Sequence, residues 1–249
     1  MKPLLTLLLA LAACAPAAAA AELPRVFLAG DSTMADKPLD LPERGWGMAL
    51  APLLREGVAV RNHAMNGRST MSFLHEGRWA KLVAELRPGD FVVIQFAHND
   101  EKREDPKRYT DPATTFRDNL RRFVREARAR GAVPLLATPV CRRKFDAAGR
   151  LRDTHGDYPE AVRAVAREEQ VPLIDLERAT AAWLQREGDV PSRRFFMWFA
   201  PGAHPRIPEG RQDDTHFVAA GAEAVAALAV AAIREQNLPL VPWLRPSAG

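Results

Sequence analysis

The sequence predicts an α/β fold whose parallel sheet is covered by helices on both faces. Two observations predict it. Short apolar runs alternate with longer amphipathic segments from Leu23 onward. The runs are almost uniformly apolar, as strands buried on both faces must be. The length of 249 residues suits one large domain with its own core and would make two cramped.

The elements follow in order. Val26 to Ala29 reads as a buried strand that stops at Gly30. Trp46 to Leu54 has helical spacing, and a second strand runs through Val58, Ala59 and Val60. Helical periodicity returns from Trp79 to Leu86 and ends at the Pro88-Gly89 turn. Phe91 to Phe96 is the strongest strand signal of the chain. Thr114 to Arg130 is a long amphipathic helix closed by Gly131, and Val133 to Ala137 is the next strand. Pro159 to Glu169 is a helix, Val171 to Ile174 the fifth strand, and Ala219 to Glu235 the closing helix. The proline-bearing stretch from Gly188 to Gln212 reads as a loop that shapes a groove.

Residues 1–21 stand outside this pattern. Lys2, the apolar run Leu4 to Ala13 and the alanine-rich stretch before Glu22 have the layout of a secretory signal, too short for a membrane span. Cleavage after Ala21 would leave residues 22–249 as a single exported domain, periplasmic or extracellular. Leu11-Ala12-Ala13-Cys14 also resembles a lipobox, which would make Cys14 a lipid anchor; its short tether to the first strand favours the soluble form. Cys141 then has no intrachain partner, so stability rests on the core and not on disulfides. A composition of 47% hydrophobic and 27% charged residues excludes a disordered or fibrous chain. The net charge of +4 comes largely from arginine on helices; it slightly favours acidic partners and does not point to nucleic acid.

Parallel sheets place their chemistry beyond the carboxyl ends of the strands. Four polar clusters fall there: Gly30-Asp31-Ser32-Thr33, Asn66-Gly67-Arg68-Ser69, Ala97-His98-Asn99-Asp100 and, before the last helix, Asp213-Asp214-Thr215-His216. Taken alone, Ser32 reads as a helix-capping serine. The i, i+3 pair Asp213 and His216 changes that reading. A carboxylate at that spacing can accept the ring's Nδ1–H, leaving the other nitrogen to take a proton from a serine hydroxyl. Asp214 is a second candidate carboxylate, read as a charge at the N-terminus of the last helix. Acyl transfer also needs donors for an oxyanion. The Gly67 N–H, the Asn99 amide and the N–H of Ser32 itself are the candidates. His63, His75, His98, His155 and His204 lack clustered ligand spacing, so no metal and no other cofactor is expected.

These residues resemble the four blocks of the SGNH or GDSL hydrolases: Ser32 for the first, Gly67 for the second, Asn99 for the third, Asp213 with His216 for the last. No Gly-x-Ser-x-Gly elbow of the ordinary α/β-hydrolases is present. One departure is Ala97, which stands where the third block usually has glycine. The resemblance implies a flavodoxin-like α/β/α sandwich with a five-stranded parallel sheet, and the roles of nucleophile, base and orienting carboxylate for Ser32, His216 and Asp213. Gly30 to Ala35, Asn66 to Ser69, Gln95 to Asp100, Thr138-Pro139-Val140 with Arg142-Arg143, and Thr154 to Tyr158 are similar to bacterial rhamnogalacturonan acetylesterases. That resemblance implies an acetylated acidic polysaccharide as substrate. Its carboxylates call for a cationic groove, for which Lys102, Arg103, Arg142, Arg143, Lys144 and Arg206 are candidates. His155, Trp198 and Phe199 are further candidates for sugar contact, while Trp46 reads as helix packing. Two other readings stay open: an exported esterase acting on xylan, peptidoglycan or lipid esters, and a non-catalytic glycan- or nucleotide-binding module. An intact triad would serve no purpose in the module. Nothing in the sequence sets the oligomeric state.

Overall fold

Val26 and Leu28 point to one side of the first strand and Phe27 and Ala29 to the other, and all four are fully buried. A strand of this kind needs a layer on each face. The computed structural model describes residues 22–246 and supplies both layers. The expectations for residues 1–21, the lipidation of Cys14 among them, lie outside the described residues.

The sheet consists of β1 (Val26–Gly30), β2 (Val60–Asn62), β3 (Phe91–Gln95), β4 (Val133–Ala137) and β5 (Leu173–Ile174). All neighbours are parallel and the order is β2-β1-β3-β4-β5. One face is covered by α1 (Thr70–His75), α2 (Arg78–Glu85), α3 (Thr115–Ala129) and α4 (Tyr158–Glu168). There Phe27, Val92, Ile94 and Leu136 pack with Phe73, Trp79, Phe123 and Val162. The other face meets α5 (Leu176–Glu187), α7 (Ala219–Glu235) and a 3-10 turn at Trp46–Ala49, through Val26, Leu28, Val93 and Leu135 against Trp46, Leu184, Val225 and Ala229. This is the expected flavodoxin-like sandwich. Its crevice falls where the strand order reverses, between the loops that follow β1 and β3.

Four local expectations are corrected. Trp46 to Leu54 is not an α-helix but two 3-10 turns, Trp46–Ala49 and Ala51–Leu53. Gly47 and Pro52 interrupt it, and Pro52 has no N–H to give a helix. The second strand lies slightly later than expected, from Val60. Helices α1 and α5 stand where none was predicted. The stretch from Gly188 to Gln212 is not a plain loop. It contains the short helix α6 (Asp189–Ser192) and β6 (Phe196–Phe199), which pairs antiparallel with β7 (Arg211–Phe217). Cys141 is buried and free. Among the described residues no helix is long and apolar enough to cross a membrane.

Candidate active site

The turn after β1 is fixed from beneath. Gly30 ends the strand where a Cβ would come within 2.7 Å of the Gln95 carbonyl oxygen, so only glycine lets β1 and β3 approach this closely. No helix starts at Ser32, so the capping role has no helix to serve. The buried Asp31 accepts from the Thr33 N–H (2.9 Å) and hydroxyl (2.8 Å). Gln95 Nε2 donates to Thr33 Oγ1 (2.9 Å), and Trp46 Nε1 donates to Gln95 Oε1 (2.7 Å). This buried chain holds the half-buried Ser32 at the mouth of the crevice. His98 lies on its far side, with Nδ1 approaching Asp31 Oδ2 to 3.3 Å without hydrogen-bond alignment. Burial drives the His98 pKa down to about 4 against the pull of Asp31, so the ring is neutral at pH 7. Burial also opposes ionisation of Asp31, yet His98 and the Thr33 donors hold it below its ordinary value.

Ser32 meets its partners from the far end of the chain. His216 Nε2 lies 2.9 Å from Ser32 Oγ, and His216 Nδ1 lies 2.9 Å from Asp213 Oδ2. The backbone N–H groups of Thr215 and His216 donate to Asp213 Oδ1 at 2.8 and 3.1 Å. Burial raises the cost of the Asp213 charge, but the His216 ring and those N–H groups outweigh it and hold the carboxyl well below the carboxylate range. An ionised Asp213 accepts the Nδ1–H of the ring. The free lone pair on Nε2 then faces the serine hydroxyl.

Gly67 has φ +75°, a left-handed turn that suits glycine and leaves its backbone open. Asn99 is buried, and its Nδ2 donates to the Arg68 carbonyl (3.1 Å), which leaves the second amide hydrogen without a partner among the described residues. Ala97, the departure noted above, has φ +135°, which explains why glycine suits that position. Asp100 anchors this loop. Its Oδ1 accepts from the Thr70 N–H (2.9 Å) and from the hydroxyls of Thr70 (2.5 Å) and Thr110 (2.7 Å). Burial, with Oδ2 left unpartnered, pushes Asp100 up to about 7.

The expected sugar-contact residues are placed differently. Arg143 is buried and paired with Asp189 and Asp214. Its guanidinium lies 4.7 Å over the Trp198 ring, and that of Arg193 lies 4.3 Å over the same ring. Trp198 is therefore occupied by cations and is not a free stacking platform. His155 is buried between Glu101 and the Val140 carbonyl, and Arg142 pairs with Glu101 and the Thr154 carbonyl. These four residues brace loops around the crevice, because each polar head is satisfied inside the protein. Asp214 is likewise not at a helix terminus. It sits in β7 and collects Arg143, Lys144 and the Trp198 indole N–H. Arg206 pairs with Asp40, while Trp46 packs in the core as expected. Sequence reasoning missed Gln95, Asp31 and His98 as supports of the serine turn. The polar Gln95 inside the most apolar strand was the signal that could have found them.

Residues 28–224 match the GDSL-like Lipase/Acylhydrolase family. The chain belongs to that family. It is a carboxylic ester hydrolase. Rhamnogalacturonan acetylesterase RhgT of Bacillus subtilis (strain 168) is 46% identical over 217 residues, which cover 87% of this chain and 92% of that protein. The probable rhamnogalacturonan acetylesterase YesY of the same organism is 37% identical over 86% of this esterase and 94% of its own length. The crystal structure of the Bacillus subtilis protein YxiM superposes with a TM-score of 0.73 at 27% identity, covering 87% of this esterase and 58% of that chain.

Proposed function

We propose that this esterase removes O-acetyl groups from acetylated rhamnogalacturonan through an acyl-enzyme on Ser32. The observation that carries the mechanism is the relay from Asp213 through His216 to Ser32, with both contacts at 2.9 Å. The substrate reading is supported by similarity to the relative named for that activity, at 46% identity. In the first step the Ser32 Oγ–H proton passes to His216 Nε2 as Oγ bonds to the acetyl carbonyl carbon. The carbonyl oxygen becomes an oxyanion held by the N–H groups of Ser32 and Gly67 and the free amide hydrogen of Asn99. The bond to the sugar oxygen then breaks, and that oxygen takes the proton from His216 Nε2. Water attacks the acetyl-enzyme with the same base, releasing acetate and restoring Ser32. The layout of residues 1–21 supports action after export, as a soluble enzyme or anchored through Cys14.

The experiment is acetate release across a panel of acetylated polysaccharides and acyl-chain lengths. Rhamnogalacturonan should be the preferred polymer, and Ser32→Ala should lose at least about a thousandfold in kcat. Preference for long acyl chains would defeat the carbohydrate reading. Normal turnover by Ser32→Ala would remove the proposed nucleophile.

A further inference from the structure

The loop between β3 and α3 brings one guanidinium to the proposed oxyanion donors. Arg108 Nη1 reaches to 3.4 Å from Asn99 Oδ1. The same nitrogen lies 3.9 Å from where a Cβ on Gly67 would stand, so it borders the open space above that glycine. The group is held in place. Its Nε donates to Asp105 Oδ2 (2.5 Å), and the Arg108 N–H closes a turn onto the Asp105 carbonyl (3.0 Å). Asp105 thus orders the side chain and offsets part of its charge. Nη2 has no hydrogen-bond partner among the described residues, and the side chain keeps 31% of its exposure. A fixed guanidinium with one free edge at the rim of a reactive site is suited to a carboxylate, because planar N–H donors match two carboxylate oxygens.

We propose that Arg108 is a specificity-determining residue that binds a substrate carboxylate on the Gly67–Asn99 side of the scissile ester. The proposal rests on the reading of the substrate as an acidic polysaccharide, whose uronate carboxylates lie on the acetylated sugar or its neighbours. Three of the cations singled out in the sequence are engaged elsewhere: Arg142 and Arg143 are bonded within the protein, and Arg206 is paired with Asp40. Arg108 stands beside the residues that would receive the oxyanion.

The test compares kcat/KM on acetylated galacturonate oligosaccharides with that on the same compounds methyl-esterified at the carboxyl group, which removes the charge and keeps the acetyl. Wild type should prefer the free acid by roughly tenfold, the worth of one charge-assisted contact. Arg108→Gln should bring that ratio to about one, and Arg108→Lys should keep part of it. A ratio unchanged in Arg108→Gln, or a wild-type ratio of one, overturns the proposal. If wild type cleaves neither compound, the pectic reading fails, and a second measurement decides on Arg108 alone. Non-acetylated galacturonate oligomers should inhibit 4-nitrophenyl acetate hydrolysis by wild type and do so far more weakly with Arg108→Gln. No inhibition of wild type, or equal inhibition of both, sinks the carboxylate site.

Discussion

Ala97 holds a buried methyl group on a backbone turned to φ +135°, where an L residue is strained by about 1–3 kcal/mol. Glycine at that position would release the strain and lose about 1 kcal/mol to chain entropy, with a small further loss from the vacated methyl. Ala97→Gly is therefore expected to leave stability equal or higher, by up to about 2 kcal/mol, in urea unfolding. An ordinary buried alanine would lose about 1 kcal/mol on the same change, and a loss of that size would show that the turn is relaxed. The departure from the family pattern was legible at this one position, but its consequence was not. A sequence shows which residue stands in a block and gives no dihedral angle.

The β6–β7 hairpin carries Asp213 and His216, and it is braced by an ion cluster centred on the buried Arg143. Arg143 joins Asp214 on β7 to Asp189 on α6, and its guanidinium lies over Trp198 on β6. Removing it leaves Asp214 with Lys144 and the Trp198 indole as its side-chain partners among the described residues. Arg143→Ala is expected to cost about 3 kcal/mol, as breaking a buried pair does. The hairpin positions the proposed base, so kcat should fall with it. A loss below about 1 kcal/mol with normal turnover would mean that the cluster does not brace the strand. This element shows the limit of pattern reading. The β1, β3 and β4 strands were legible because both faces are buried and their runs are apolar. Arg211-Gln212-Asp213-Asp214-Thr215-His216 is polar throughout, and its pairing with β6 is fixed by contacts far away in sequence. The i, i+3 spacing still paired Asp213 with His216, because that pairing depends on chemistry and not on secondary structure. The converse holds for two of the predicted sugar contacts: Arg143 and His155 look exposed in a list of charges and are buried by partners the list does not pair.

Across the whole molecule, two buried groups set opposing pH dependences. His98 falls from an ordinary 6.5 to about 4. The unfolded chain binds its proton first, so His98 lowers stability as pH falls from about 6.5 to 4. Asp100 rises from 3.8 to about 7. The folded state holds its proton longer, so that contribution is full below about 3.8 and is lost as pH rises toward 7. Between about pH 4 and 6.5 the two slopes offset one another. Asp100→Asn should expose the His98 slope, with a thermal midpoint that drops relative to wild type on acidification. His98→Gln should show the reverse. Parallel curves for all three proteins would mean that neither group titrates as its burial implies.

The proposed nucleophile and base are 184 residues apart, one on the first strand's loop and the other on the last hairpin. A ribosome delivers Ser32 well before His216. Until that hairpin closes over the crevice, Ser32 lacks the base proposed for it. On the proposed mechanism a growing polypeptide that has not yet placed His216 would carry no esterase chemistry. Hydrolysis would, on that mechanism, act as a timer, marking the moment at which the loop after β1 and the β6–β7 hairpin have met.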